Sequence, residues 1–230
     1  CGVSGCLITK GTDLSAGRQV GLSACLAAMM LQSVDYAARA LPWMPDLPWF
    51  AALLLVIVIM AVFGAINGCV IAFLKVPPFI ATLGMQTIVY GLCSVVTGND
   101  PLGGFKSSYS QVALGSLGPI PYLAIFAVIV GAYMLFLYNK TRHGKYMYAI
   151  GGNESAAQVA GVNVPATIIR IYVLASILYA IAGFLVGAKA GGASTATGFG
   201  YELEAIAACT IGGVSTNGGV GKVGGILIGV

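Results

Sequence analysis

FAALLLVIVIMAVFGAINGCVIAFL, residues 50 to 74, runs for 25 residues without a charged side chain. About 20 predominantly apolar residues suffice for a helix to cross a bilayer, so this stretch predicts a transmembrane helix. Outward from it, 78 to 97, 120 to 138 and 166 to 187 meet the same condition. Residues 14 to 32, LSAGRQVGLSACLAAMMLQ, are more polar and rich in small side chains, and such a span has to be shielded by neighbours. The stretch 203 to 230 is apolar but carries eight glycines from Gly212 onward. Each glycine costs a helix interior about 1 kcal/mol against Ala. The expectation there is a helix, a break near Gly212 to Gly221, and a further helix running to Val230. The fold class is therefore all-α: a polytopic transmembrane helical bundle with broken, Gly-rich helices. It forms one domain over 1–230, with 139–165 as a loop on one side. A chain that opens on Cys1 and stops at Val230 inside an apolar run is expected to continue at both ends.

Composition agrees with this reading. Of 230 residues 58% are hydrophobic and 8% charged, and the mean hydropathy is +0.94. A soluble domain averages about 25% charged residues, and disorder needs low hydrophobicity with high net charge; both are excluded. The net charge of +4 is too thin for a nucleic-acid footprint, so the bilayer is the expected partner and nucleic acid is not. Six scattered cysteines and a lone His143 offer neither a disulfide framework nor zinc spacing. Gly219 to Gly224 fits GxGxxG, but no strand precedes it and no acidic residue follows, so the dinucleotide reading fails. Lys222 is followed by Val223, so it is not a phosphate-binding loop either. No catalytic constellation can be assembled, and no cofactor is expected on this chain.

Short cytoplasmic loops collect Lys and Arg. With Lys140, Arg142 and Lys145 inside, alternation of the spans puts Lys10, Arg18, Lys75, Arg170 and Lys222 inside as well. Arg39, Lys106 and Lys189 are left outside, with Asp35, Asp46, Asp100 and Glu202. Trp43, Trp49, Tyr109 and Tyr201 are expected as interfacial anchors, and His143 as a solvated or headgroup residue of the inner loop.

Helix contacts in lipid rely on small residues that let backbones approach. Ala61, Ala65, Gly68 and Ala72, flanked by Gly64 and Asn67, form one such stripe; Ser176, Ala180, Gly183 and Gly187 form another. Thr82, Gln86 and Tyr90 recur at four-residue steps and line up on one helix face, either bonding a neighbouring helix or lining a polar path. Asp13 is either the cap of a helix that restarts after a break or a direct ligand group. Glu204 is either a first-turn charge or a path residue. In the inner loop, Asn153 to Val162 has an Asn cap, an early acid and Gly161 near its end, and predicts a helix of about two turns. It serves either as a connector or as a surface for something to push against.

Four stretches carry a resemblance: ITKGTDLSAGRQVGLSACLAAMMLQ (Ile8 to Gln32), PPFIATLG (Pro77 to Gly84), TRHGKYMYAIGGNESAAQVAGVNV (Thr141 to Val164) and GYELEAIAACTIGGVSTNGGVGKVGG (Gly200 to Gly225). Together they resemble the monosaccharide ABC-importer permeases of bacteria. The TKGTDLSAGRQVGL wording is similar to the galactose/methyl-galactoside type, where ribose types tend to carry GIDLSVGS. The resemblance implies an inner-membrane permease working as a homodimer. A periplasmic sugar-binding protein would dock outside and an ATPase, holding ATP and Mg, would engage inside. The family's coupling segment carries over to Gly151, Gly152, Asn153, Glu154, Ala156, Ala157 and Gly161. Within such a permease, polarity and depth single out Asp13, Ser15, Asn67, Thr82, Gln86 and Glu204 for the translocation path. Galactose or methyl galactoside is the expected substrate, with ribose or another monosaccharide as the alternative. An ATP-independent secondary transporter usually places ionisable residues near the midplane, and the four long spans offer none.

Overall fold

The computed structural model describes residues 1–230, and its architecture is helical throughout, apart from one small hairpin. Four helices are long and apolar enough to cross a membrane: α3 (Trp49–Phe73), α4 (Pro78–Thr97), α6 (Tyr122–Lys140) and α9 (Val164–Ala190). They coincide with the predicted spans to within two or three residues, because a lipid-spanning run is written in local hydropathy. Punctuation is local too. Pro77 and Pro78 start α4, where the missing N–H costs nothing, and Asn163 caps α9 by accepting the Ala166 N–H at 3.1 Å. Gly98 and Gly191 close α4 and α9 in the left-handed conformation that suits glycine at a helix C-terminus.

The bundle is organised around α9. Of its apolar window 61% is buried, against 22% for α3 and α4 and 17% for α6. One side of α9 packs along α3, another along α2 (Ala16–Met30). The stripe Ser176, Ala180, Gly183 and Gly187 is buried as expected, and Ser23 Oγ donates to the Ala180 carbonyl at 2.7 Å. On α3 the stripe is rotated from the expected one. Gly64, Asn67, Gly68 and Ala72 are buried, whereas Ala61 and Ala65 are only half-buried. Gly64 is the point of closest approach, since a Cβ there would lie 2.5 Å from the Tyr172 carbonyl.

The expected span over 14 to 32 is one shorter helix, α2, and a separate short helix precedes it. α1 (Gly2–Ile8) and α2 are separated by a turn at residues 9 to 15. The 15 residues of α2 reach only about 22 Å at 1.5 Å per residue, too short to cross alone. Thirteen of them are buried, which provides the shielding that their polarity demands.

The C-terminal region is broken as expected, into α10 (Tyr201–Ile211) and α11 (Val223–Gly229). Gly212 and Gly225 meet backbone to backbone where these two pack. The segment 191 to 200 that leads into α10 descends into the bundle. Its first residues sit at the end expected to face outward, hereafter the outer end, where Ala193 pairs with Leu102 in an antiparallel bridge. By Thr197 and Gly198 its carbonyls lie against Gly21 and Gly17 of α2. Glu202, expected in an outer loop, is consequently buried beside Gly17.

The outer end is capped by residues 31 to 48, α5 (Ser107–Leu114) and the hairpin β1 (Ser116–Leu117) and β2 (Ile120–Pro121). Lys106 pairs with Asp46 there. Tyr109, expected at the interface, is fully buried and donates to the Phe184 carbonyl at 2.8 Å. The inner end carries α7 (Arg142–Gly152) and α8 (Glu154–Val159). His143 is half-buried on α7 rather than solvated. Burial pushes its imidazole below the ordinary value of 6.5, and the Arg170 charge acts in the same direction. The unfolded chain therefore binds the proton more readily, so the fold loses stability as pH falls through about 6.5. Acidification from pH 7.5 to 5.5 is expected to lower the melting temperature, and His143→Gln to flatten that dependence; parallel thermal scans of the two proteins check it.

Candidate functional site

The turn between α1 and α2 holds a buried polar knot. Asp13 Oδ1 accepts the Ser15 N–H at 3.0 Å and the Ser15 hydroxyl at 2.6 Å, and Oδ2 accepts the Tyr179 hydroxyl at 3.0 Å. Ser15 Oγ in turn accepts from Gln19 Nε2 at 2.9 Å and Asn67 Nδ2 at 3.1 Å. Thr82 closes the other side: its hydroxyl accepts the Leu14 N–H at 3.1 Å and donates to the Thr12 carbonyl at 3.0 Å. Asp13, Ser15, Asn67 and Thr82, which come from α3, α4 and the turn, are thus brought together, all buried. The arrangement follows from the break. A helix that restarts inside a bundle leaves N–H groups unpaired, and without water each must find a partner in protein.

Both oxygens of Asp13 are engaged within the chain, so its first task is to hold the restart of α2. Gln86 and Glu204 lie outside the knot. Gln86 is half-buried at the edge of the α4 face that carries Thr82, Met85 and Val89 inward, and Glu204 is exposed on α10. Tyr90, one turn beyond Gln86, is 43% exposed.

Sequence reasoning missed several residues here. Tyr179 and Gln19 belong to the knot but sit in runs that read as plain spans. Arg18 was expected at the inner end; instead its guanidinium lies over the rings of Tyr90 at 4.5 Å and Phe199 at 4.9 Å, and Nη1 donates to the Thr195 carbonyl at 2.9 Å. No local signal reveals this, because a charge census assigns every cation to a loop.

The segment 151 to 161, expected to couple to an ATPase, stands at the same end of the bundle as α7. Asn153 Oδ1 accepts the Ala156 N–H at 3.0 Å and so caps α8. Gly161, with φ of +85°, turns the chain toward α9. Gly152, Asn153, Glu154, Ala156 and Gly161 are exposed. Gly151 and Ala157 form the underside: Ala157 packs with Ile150 and Val164, and Gly151 lies against the Ile8 carbonyl and Gly219. Gly219 N–H donates to that same carbonyl at 2.8 Å, so α1, α7 and the glycine-rich break are tied at one point. Glu154 faces Lys75 at 3.7 Å. Beneath this pair is a cavity of about 270 Å³ lined by Lys10, Gly11, Pro78 and Tyr172 among others.

The family described as branched-chain amino acid transport system / permease component matches residues 2–230. The chain is 49% identical to the galactose/methyl galactoside import permease protein of Escherichia coli (strain K12) over 237 residues, covering 100% of this chain and 70% of that protein. It is 47% identical over 236 residues to the protein of the same name from Haemophilus influenzae, with the same coverage. The ribose import permease protein of Bacillus subtilis (strain 168) is 40% identical over 233 residues, covering 100% of this chain and 68% of that protein. No solved structure matches the chain.

Proposed function

We propose, for a chain that belongs to the branched-chain amino acid transport system / permease component family, the role of membrane-spanning subunit in an ATP-driven importer of galactose or methyl galactoside. It is a transport subunit of the inner membrane, and ATP with its Mg binds to a separate ATPase. The observation that carries this reading is α8, a capped and exposed helix at the Lys- and Arg-rich end of a membrane bundle.

Gly152, Asn153, Glu154, Ala156 and Gly161 meet the ATPase, while Gly151 and Ala157 transmit its movement into α1, α7 and α9. A periplasmic sugar-binding protein docks on the outer cap. A second copy of the permease completes a central path along the exposed faces of α4 and α10, where Gln86 and Glu204 lie. The knot of Asp13, Ser15, Asn67 and Thr82 borders that path and positions α2 beside it. A neutral hexose needs hydrogen-bonding groups and aromatic faces rather than a counter-charge. Closure of the ATPase on ATP rocks the two copies, opening the path outward and then inward.

Galactoside uptake by the complete importer tests the reading. Glu154→Lys places like charges beside Lys75, and Ala157→Asp puts an unpaired carboxylate under α8; each is expected to lower uptake and ATPase stimulation several-fold together. Unchanged uptake in both variants, or galactoside flux in vesicles lacking any ATPase, overturns it.

A further inference from the structure

We propose that Arg18, clasped between Tyr90 and Phe199, is a sugar-contacting residue of the translocation path, an inference that rests on the function proposed above. Depth is the first observation. Arg18 follows Gly17, which touches Gly198 and Glu202 inside the bundle, and it lies alongside Tyr90, 12 residues into α4. A cation held at that level is rare in membrane proteins and marks a substrate path or an ion partner. No ion partner is present: no carboxylate pairs with Arg18. Glu202 is turned against Gly17 with Oε2 unpartnered.

Donor capacity is the second observation. A guanidinium carries five N–H donors in a planar fork. Here one nitrogen serves the Thr195 carbonyl at 2.9 Å and the rest have no acceptor in the chain. The two rings lie against the guanidinium at 4.5 and 4.9 Å without consuming its donors. The third observation is access. Phe199 is 68% exposed, and Tyr90 and the half-buried Arg18 reach the same open face. A hexose offers pairs of neighbouring hydroxyls, which match a forked donor, and an apolar C–H face, which matches an aromatic ring. Arg18, Tyr90 and Phe199 supply both at one place, on three different segments of the chain, and the descending segment 191 to 200 brings them together.

The competing role is a latch, in which Arg18 only pins the descending segment to α4. The complete importer, reconstituted in proteoliposomes with its ATPase and binding protein, separates the two when galactose uptake and ATP hydrolysis are read at once. Arg18→Lys keeps the charge and the position over the rings but loses the fork. It is expected to cut galactose moved per ATP hydrolysed at least tenfold, while ATPase stimulation by the loaded binding protein stays within twofold of the parent. Phe199→Leu, a change at an exposed side chain, is expected to lower the same ratio several-fold at unchanged melting temperature, and stands in should Arg18→Lys fail to fold. A parental ratio in both variants, or in Phe199→Leu a parallel fall of uptake, ATPase activity and melting temperature, overturns the proposal. A parent complex that takes up neither galactose nor methyl galactoside overturns instead the function from which it starts.

Discussion

Gly183→Leu is expected to remove most of the folded protein from the membrane. At Gly183, α9 touches α2 through backbone: a Cβ would strike the Val20 carbonyl and come within 2.7 Å of Ser23 Cβ and 2.8 Å of its hydroxyl. The Ser23 hydroxyl is already committed to the Ala180 carbonyl, so neither side can yield cheaply. Overpacking costs about 1–3 kcal/mol when side chains can adjust, and a backbone carbonyl adjusts less than a side chain. Against a total stability of about 5–15 kcal/mol, a loss of about 3 kcal/mol or more lowers the melting temperature by roughly 6–12 °C for a chain of this size. Yield and thermal stability in detergent measure it. Gly91→Ala is the control. Gly91 lies mid-helix with nothing within 4 Å, and the substitution should leave the melting temperature unchanged or slightly raised, as helix propensity favours Ala. Equal behaviour of the two variants is incompatible with α9 as the central post.

Asp13→Ala is expected to be nearly as severe, for a different reason. It strands the Ser15 N–H, the Ser15 hydroxyl and the Tyr179 hydroxyl, all without access to water. Leaving one buried polar group unpaired costs about 1–3 kcal/mol. Even if the Ser15 hydroxyl finds another acceptor, a loss on the order of 3 kcal/mol follows, and uptake should fall below a tenth of the parent. Asp13→Asn separates cap from ligand. Its amide oxygen can still accept from Ser15, and its nitrogen can donate to Tyr179, so stability should return to within about 1 kcal/mol. Uptake restored along with stability assigns Asp13 to the cap. Stability without uptake makes the carboxylate itself part of the path. A parental melting temperature in Asp13→Ala contradicts the knot as described.

Legibility divides along a physical line. The spans at 50 to 74, 78 to 97, 120 to 138 and 166 to 187 could be read directly, because the cost of placing polar groups in lipid acts on each helix separately. The Asn153 cap, the restart near Asp13 and the break near Gly212 were equally visible, since each satisfies or disrupts backbone within a few residues. The same local logic misplaced Arg18, Glu202 and Tyr109. It sent charges to loops and aromatics to the interface, with no means of knowing that 191 to 200 turns back into the bundle. The short helix α1 escaped for a related reason, and α2 fell short of the span expected over 14 to 32: neither is long enough to satisfy a bilayer alone, and each persists because neighbours cover it.

Residue order alone settled that the chain lives in a bilayer, where its long helices run and which end carries the positive charge, for those are free energies of single segments against lipid and water. Only three-dimensional packing decided that Asn67, Thr82 and Tyr179 close around Asp13 and Ser15, and that Arg18 stands between two rings. Such contacts join residues as far apart as Arg18 and Phe199, and their energies exist only once separate segments have been brought to touch.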